Sequence, residues 1–267
     1  MNNQPIGVLD SGIGGLSILK EIIKKFPHES TIYLADSLNC PYGNRSEKEI
    51  YNLSRRLVEF LVDQKVKIII IACNTITVTC LDRLRKDFPN LPIIGTVPVI
   101  KTAVSVTKNK KIGILSTIAT SKSDYQKNLI NKFAGDCEVL NLGTDKLVPL
   151  VEKGDLESGE LKDVLKSELW PFLKAGIDVL VLGCSHFPFL EEKMQEILGS
   201  KVLLLDSGAA IARQVERVLT ANKTLSKKKS SSHIFYTTGE EKHFRLAVNK
   251  LMREQVGKVG LVKGMRF

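Results

Sequence analysis

The sequence predicts an α/β protein built on parallel sheet, and three observations carry that prediction. Short runs rich in Val and Ile alternate with longer segments whose apolar residues recur at helical spacing, the pattern of buried parallel strands covered by helices. The stretch VKIIIIACNTITV (66–78) is echoed by IDVLVLGCSHFPF (177–189): each is an apolar run, a small residue, a cysteine, two polar side chains and a turn toward a helix. A looser echo at a similar offset pairs GVLDSG from Gly7 with GILSTI from Gly113, so the chain reads as two similar α/β halves.

Taken in order, the Val/Ile-rich runs place strands at Ile6–Asp10, Thr31–Asp36, Val66–Cys73, Ile93–Thr96, Lys111–Ser116, Cys137–Leu142, Asp178–Cys184 and Val202–Asp206. Helical periodicity places helices at Leu16–Phe26, Ser46–Gln64, Thr77–Phe88, Lys122–Phe133, Lys162–Ala175, Pro188–Ile197 and Ala209–Thr220. A polar surface loop, SKKKSSS (226–232), precedes a last strand, HIFYTT, and a last helix, EKHFRLAVNKLMRE. Between the first strand and helix, Gly12, Gly14 and Gly15 fit a tight turn in which missing Cβ atoms allow close approach. This is not a dinucleotide loop, because Ser17 stands where G-x-G-x-x-G requires its third glycine.

At 267 residues and 43% hydrophobic, the chain has material for one large core or two ordinary ones. No apolar run approaches the roughly 18 residues of a membrane span, and MNNQPIGVLD lacks a basic stretch leading into an apolar one. A cytoplasmic protein with no membrane partner is expected. The five cysteines, Cys40, Cys73, Cys80, Cys137 and Cys184, are odd in number and contain no C-x-x-C pair, which argues for reduced thiols over disulfides or a zinc knuckle. A net charge of +10 raises nucleic acid as a partner, but the lysines are spread along the chain and cluster only at KNKK (108–111) and SKKKSSS. Aromatics are 6% and none interleave with those clusters, so nucleic-acid binding is not indicated. A positive field does suit a small anionic substrate.

In open parallel sheets, ligands bind beyond the carboxyl ends of the strands, which is where both Cys73 and Cys184 are predicted to fall. If the halves face each other, one thiol comes from each side of a single cleft. Two opposed thiols can take a proton from one face of a carbon and return one to the other, which inverts a stereocentre. Asp10, at the end of the first strand, and His186, two positions after Cys184, are their candidate proton partners. Ser11, Asn74, Thr75, Ser116, Thr117, Thr120 and Ser185 offer neutral donors and acceptors to a small acid, and helix N-termini add positive partial charge. CPYGNRS (40–46) forms a Pro-Tyr-Gly turn with Tyr42 placed to close over a ligand.

The ordered segments GVLDSGIGGLS (7–17), CPYGNRS (40–46), ACNT (72–75), GILSTIATSKSDY (113–125) and GCSHFPFL (183–190) resemble the bacterial glutamate racemases of the aspartate/glutamate racemase superfamily. Weaker resemblances at GTVPVIKTA (95–103), DSGAAIA (206–212) and FYTTGEE (235–241) extend the likeness over nearly the whole chain. The resemblance implies interconversion of L- and D-glutamate with no cofactor and no metal, supplying D-glutamate for peptidoglycan. It implies two flavodoxin-like domains, 1–97 completed by 208–267 and a second at 98–207, related by a pseudo-twofold axis with the site in the cleft between them. Glutamate is then the partner, and a homodimer is one assembly the family allows.

Carried over by position, Cys73 is the base toward D-glutamate and Cys184 the base toward L-glutamate, with Asp10 and His186 beside them. Asp10, Ser11, Tyr42, Gly43, Asn74, Thr75, Ser185 and His186 match substrate-contacting positions, with Thr117 and Thr120 as additions. Ser185 replaces the family's usual threonine and Phe187 a common tyrosine; serine keeps the hydroxyl and loses a methyl contact. Cys40 is not a residue the family requires and, with Cys80 and Cys137, is read as structural or incidental. The alternatives are a racemase of aspartate or another small acidic amino acid, and a basic binding protein in which the cleft is secondary.

Overall fold

A computed structural model describes residues 3–154, 156–227, 230–256 and 262–264. Lys228 and Lys229 of the polar loop lie outside the described residues. Two all-parallel sheets are present. The first contains β1 (Ile6–Asp10), β2 (Thr31–Ala35), β3 (Ile68–Ile71), β4 (Ile93–Gly95), β9 (His233–Thr237) and β10 (Val262–Gly264), in the order β10-β9-β2-β1-β3-β4. The second contains β5 (Lys111–Thr117), β6 (Glu138–Thr144), β7 (Val179–Gly183) and β8 (Leu203–Leu205), in the order β6-β5-β7-β8.

The strand orders make the two sheets topologically equivalent at their centres. In the first, β1 lies between β2 and β3; in the second, β5 lies between β6 and β7. Strand order therefore reverses beside β1 and beside β5, and such switch points leave a crevice at the carboxyl ends of the strands. Gly7 pairs with Ile32 on one side and Ile69 on the other, while Gly113 pairs with Leu140 and Leu180.

The strands bury both faces, which is why their sequences are continuously apolar. Along β3, Ile68 and Ile70 join the large apolar cluster that runs through both halves, whereas Ile69 and Ile71 face α2 (Glu47–Asp63) and α3 (Asn74–Asp87). Along β7, Leu180 and Leu182 join that same shared cluster, and Val179 and Val181 pack toward α4 (Ile100–Val106) and α6 (Asp124–Phe133). The shared cluster includes Leu16, Leu19 and Ile22 of α1 (Leu16–Lys25), Leu147 and Val151 of α7 (Leu147–Glu152), and Leu165 and Phe172 of α8 (Gly159–Ala175).

Local signals fix several boundaries. Ser46 caps α2 through a capping box with Glu49. Ser158 caps α8, and Gly176 ends it in the left-handed conformation at φ 67°. The helix expected at Lys122–Phe133 is α6, which starts two residues later because the Ser123 side chain caps it, and an unexpected short helix, α5 (Ile118–Lys122), precedes it. The third helix begins at Asn74 rather than Thr77, placing Cys73 at its N-cap. The segment after Cys184 first makes a 3-10 turn over Phe187–Leu190, with Pro188 in its first turn, before α9 (Glu191–Leu198).

The chain leaves the first sheet after Gly95 and comes back through α10 (Gly208–Ala221), which packs on α1. The two crossings touch, with the Ser207 hydroxyl donating to the Val97 carbonyl at 2.8 Å. The last helix, α11 (Glu241–Val256), contributes Phe244, Val248 and Met252 to the shared cluster.

Lys67 and Glu29 form a buried ion pair at 2.6 Å, with side chains 0% and 3% exposed. The Lys67 ammonium also donates to the Thr224 carbonyl at 2.7 Å, and Glu29 accepts from the Ser226 N–H at 2.7 Å. Removing one charge strands the other in a low-dielectric site, so Lys67→Met is expected to lower stability by about 3–5 kcal/mol. The midpoint and slope of urea unfolding measure this, and a loss below about 1 kcal/mol, the range of an exposed pair, would contradict it.

Candidate active site

The carboxyl ends of β1, β3, β5 and β7 converge, and they bring residues from both halves into one buried cluster. Asp10 ends β1, Cys73 follows β3, Thr117 ends β5 and Cys184 follows β7. Cys73 and Cys184 are each 5% exposed, and Asp10 and His186 are buried almost completely.

Around Cys73, the Ser11 hydroxyl lies 3.5 Å from its sulfur. The thiol is pushed up to about 12, chiefly by burial and then by the Asp10 charge; the Ile76 N–H and Ser11 pull against that rise. The Ile76 N–H belongs to the first turn of α3, so a helix N-terminus meets the sulfur where negative charge would form.

Around Cys184, the His186 Nδ1 lies 3.8 Å from the sulfur, and the His186 Nε2 lies 2.6 Å from Glu152 Oε1. Burial alone disfavours the imidazolium. Hydrogen bonds with Cys184, Cys40 and Glu152 outweigh it, so His186 titrates well above its ordinary range. The same Glu152 oxygen accepts from the Ile13 N–H at 2.8 Å, tying the glycine turn to the imidazole through one carboxylate.

Asp10 joins the two sides. Its Oδ1 accepts from the Gly12 N–H at 3.0 Å and its Oδ2 from the Ser185 hydroxyl at 2.9 Å. Burial raises its carboxyl to about 6, opposed by the His186 charge and these two donors. Close approach depends on Gly12 and Gly14: a Cβ on Gly12 would overlap the Glu152 carboxylate, and one on Gly14 would overlap the His186 ring and the Ser185 hydroxyl.

The other predicted positions fall into two groups beside this centre. Thr75 Oγ1 lies 2.9 Å from Thr117 Oγ1, which in turn lies 2.9 Å from Thr120 Oγ1, a hydroxyl chain that spans the halves. Gly43 faces Thr117, whose Cβ would lie 3.2 Å from a Cβ added there. The Tyr42 hydroxyl donates to Asp36, and the Asn74 amide reaches the Thr96 carbonyl at 3.4 Å. Ser116 stands apart: its hydroxyl is directed at the Thr117 carbonyl, 3.3 Å away.

Sequence reasoning missed two carboxylates. Asp36 follows β2 as Asp10 ends β1, and it holds Tyr42, Asn39 and Thr238 together. That strand-end position was the available signal. Glu152 ends α7, far from every motif, and no local pattern marks it. Cys40, read as structural or incidental, has its sulfur within 4.8 Å of His186 and Glu152 ligand atoms, and burial pushes its thiol to about 12.

Two similar parallel sheets meeting at a buried thiol, imidazole and carboxylate cluster define a class of protein that acts on a small molecule held between two halves. The chain belongs to the Asp/Glu/Hydantoin racemase family, whose model matches residues 6–215. It is 43% identical over 245 residues to the glutamate racemase of Herpetosiphon aurantiacus, covering 91% of this chain and 96% of that one. It superposes on the glutamate racemase of Bacillus anthracis with a TM-score of 0.91 at 31% identity, covering 100% of this chain and 99% of that one. On the Francisella tularensis glutamate racemase in complex with D-glutamate the TM-score is 0.87 at 32% identity, covering 100% and 98%.

Because the Asp10 carboxyl is raised in the folded state above the unfolded value near 3.8, the folded chain binds the extra proton. Stability contributed by this group is present below about pH 4 and lost as pH rises through about 6. Asp10→Asn is therefore expected to stabilise the fold by up to about 3 kcal/mol at pH 7, with the gain vanishing near pH 4. Urea unfolding of both proteins at pH 4, 5.5 and 7 tests the slope; a gain that grows toward low pH would contradict it.

Proposed function

We propose that this chain interconverts L- and D-glutamate by two-base proton transfer, with Cys73 and Cys184 as the opposed acid and base. One observation carries the reading: equivalent strands β3 and β7 of two similar sheets each deliver a thiol into one buried cluster, with His186 Nδ1 3.8 Å from the Cys184 sulfur and the Asp10 charge acting on the Cys73 thiol. The relatives at 37–43% identity that bear the name glutamate racemase support glutamate as the substrate.

Starting from L-glutamate, Cys184 as thiolate takes the Cα proton, with His186 beside it as the imidazolium that favours the thiolate. Cys73 as thiol returns a proton from the opposite face. In the reverse direction Cys73 is the base and Asp10, ionised above about pH 6, is the neighbouring acceptor. The carbanion forms without a pyridoxal electron sink, so the charge developing on the α-carboxylate must be met by fixed donors. Ser11, Asn74, Thr75, Ser185 and the N-terminal N–H groups of α3 supply them, each worth about 3–4 kcal/mol when preorganised. Tyr42, Gly43, Thr117 and Thr120 complete the substrate-binding wall.

On this reading the enzyme works in the cytoplasm, as two units of 1–97 with 208–267 and of 98–207, and its D-glutamate feeds peptidoglycan and so cell shape. Among the described residues no helix is long and apolar enough to cross a membrane.

Cys73→Ala and Cys184→Ala are each expected to lower kcat/KM by at least about 10²–10⁴-fold, the worth of one positioned acid or base, with the fold intact by circular dichroism. In deuterium oxide, early label should appear mainly in the newly formed enantiomer. Full turnover by Cys184→Ala, or equal early labelling of both enantiomers, would overturn the two-base scheme. Initial rates on both enantiomers of glutamate and aspartate decide the substrate, and preference for aspartate would overturn glutamate.

A further inference from the structure

We propose that Cys40, Glu152 and His186 form a binding site for a divalent cation of the zinc type, and that an ion held there switches the active site off. The three offer a thiol sulfur, a carboxylate oxygen and an imidazole nitrogen within 4.8 Å of one another. Sulfur, nitrogen and oxygen in this combination are the ligands zinc selects, and three protein ligands with one open position make a complete tetrahedral site.

Small motions suffice to close it. Zinc-to-ligand lengths of about 2.0–2.3 Å place tetrahedral ligands about 3.5 Å apart. His186 and Glu152, now 2.6 Å apart, must separate by about an ångström to reach that spacing, and the Cys40 sulfur, within 4.8 Å of both, needs to move in by no more than roughly 1.3 Å. Cys40 lies in the connection between β2 and α2, outside any regular element. The outer partners that hold ligands in place are present: the Ile13 N–H donates to Glu152 Oε1 at 2.8 Å, and Ser185 and Cys184 lie 3.5 and 3.8 Å from His186 Nδ1.

The charges balance in a buried place. Binding displaces the thiol proton of Cys40 and the imidazolium proton of His186 to solvent; no electron moves. A thiolate, a carboxylate and a neutral imidazole then neutralise the dication, and the nearby Asp10 carboxylate adds further attraction. The racemisation proposed above gives Cys40 no task, and the family resemblance does not require a cysteine there. Its presence converts a His186–Glu152 pair into a three-ligand set. An ion on His186 Nε2 replaces the proton that makes the ring an imidazolium, so Cys184 loses the cation that favours its thiolate and occupancy inhibits; this consequence rests on the racemase reading, whereas the binding does not.

Cobalt(II) replaces zinc as a visible probe. Cobalt added to the wild-type protein is expected to give a near-ultraviolet sulfur-to-cobalt band together with visible tetrahedral bands, displaced by one equivalent of zinc and abolished by a chelator. Cys40→Ser should lose the sulfur band and weaken zinc binding, read by titration calorimetry, by at least about 10-fold, and Glu152→Gln should weaken it similarly. Cys73→Ala should keep both band and affinity. Loss of the band in Cys73→Ala with retention in Cys40→Ser would put the ion between the two opposed thiols and overturn the proposal, as would unchanged zinc affinity in both Cys40→Ser and Glu152→Gln. Since the band is read without turnover, a failure of the racemase reading leaves this result interpretable.

Discussion

Everything at the junction of the two sheets follows from the cost of burying ionisable groups. Asp10 and His186 lie out of water, where an unpaired charge costs several kcal/mol. Each is therefore paired, and the partners come from the opposite half or from a distant helix: Ser185 serves Asp10, Glu152 serves His186, and the Ile13 N–H fixes Glu152. Water exclusion also sets the chemistry. It pushes Cys73 and Asp10 upward and opposes the His186 imidazolium, which its hydrogen bonds and the Glu152 charge hold in place.

That network constrains the fold around it. A carboxylate from β1 can reach a serine that follows β7 only if both strands end in the same crevice, which the equivalent switch points of the two sheets provide. The glycine turn must come close enough for Gly12 to bond Asp10 and for Gly14 to lie against His186, which excludes side chains there. The apolar cluster shared by the halves holds these distances, since it runs from α1 and β3 through α7 and α8 to β7 without a break.

How much was legible depended on how local each signal was. The Val/Ile runs gave the strands well because buried parallel strands need no alternation. Short polar helices were missed: α5 is built from Ile118, Ala119, Thr120, Ser121 and Lys122, and its start is a Thr117 side-chain cap rather than an apolar stripe. The α3 start was placed three residues late, since Asn74 and Thr75 read as a polar loop although both lie in the helix's first turn. At the site, residues adjacent to the strand-end cysteines could be picked from the motifs. Glu152 could not, because only the packing of α7 against the glycine turn gives it a role, and the proximity of Cys40 to His186 was equally silent.

The sequence by itself determined the α/β class, the two echoing halves, the pair of thiols at strand ends and the resemblance to glutamate racemases. These are properties of periodicity, repetition and ordered motifs, all carried by neighbouring residues. Only the tertiary structure decided which charges meet. Asp10 with Ser185, Glu152 with His186, Thr75 with Thr117, and Cys40 with both Glu152 and His186 are contacts between segments far apart in the chain, and desolvation acts on them only once the two sheets have closed.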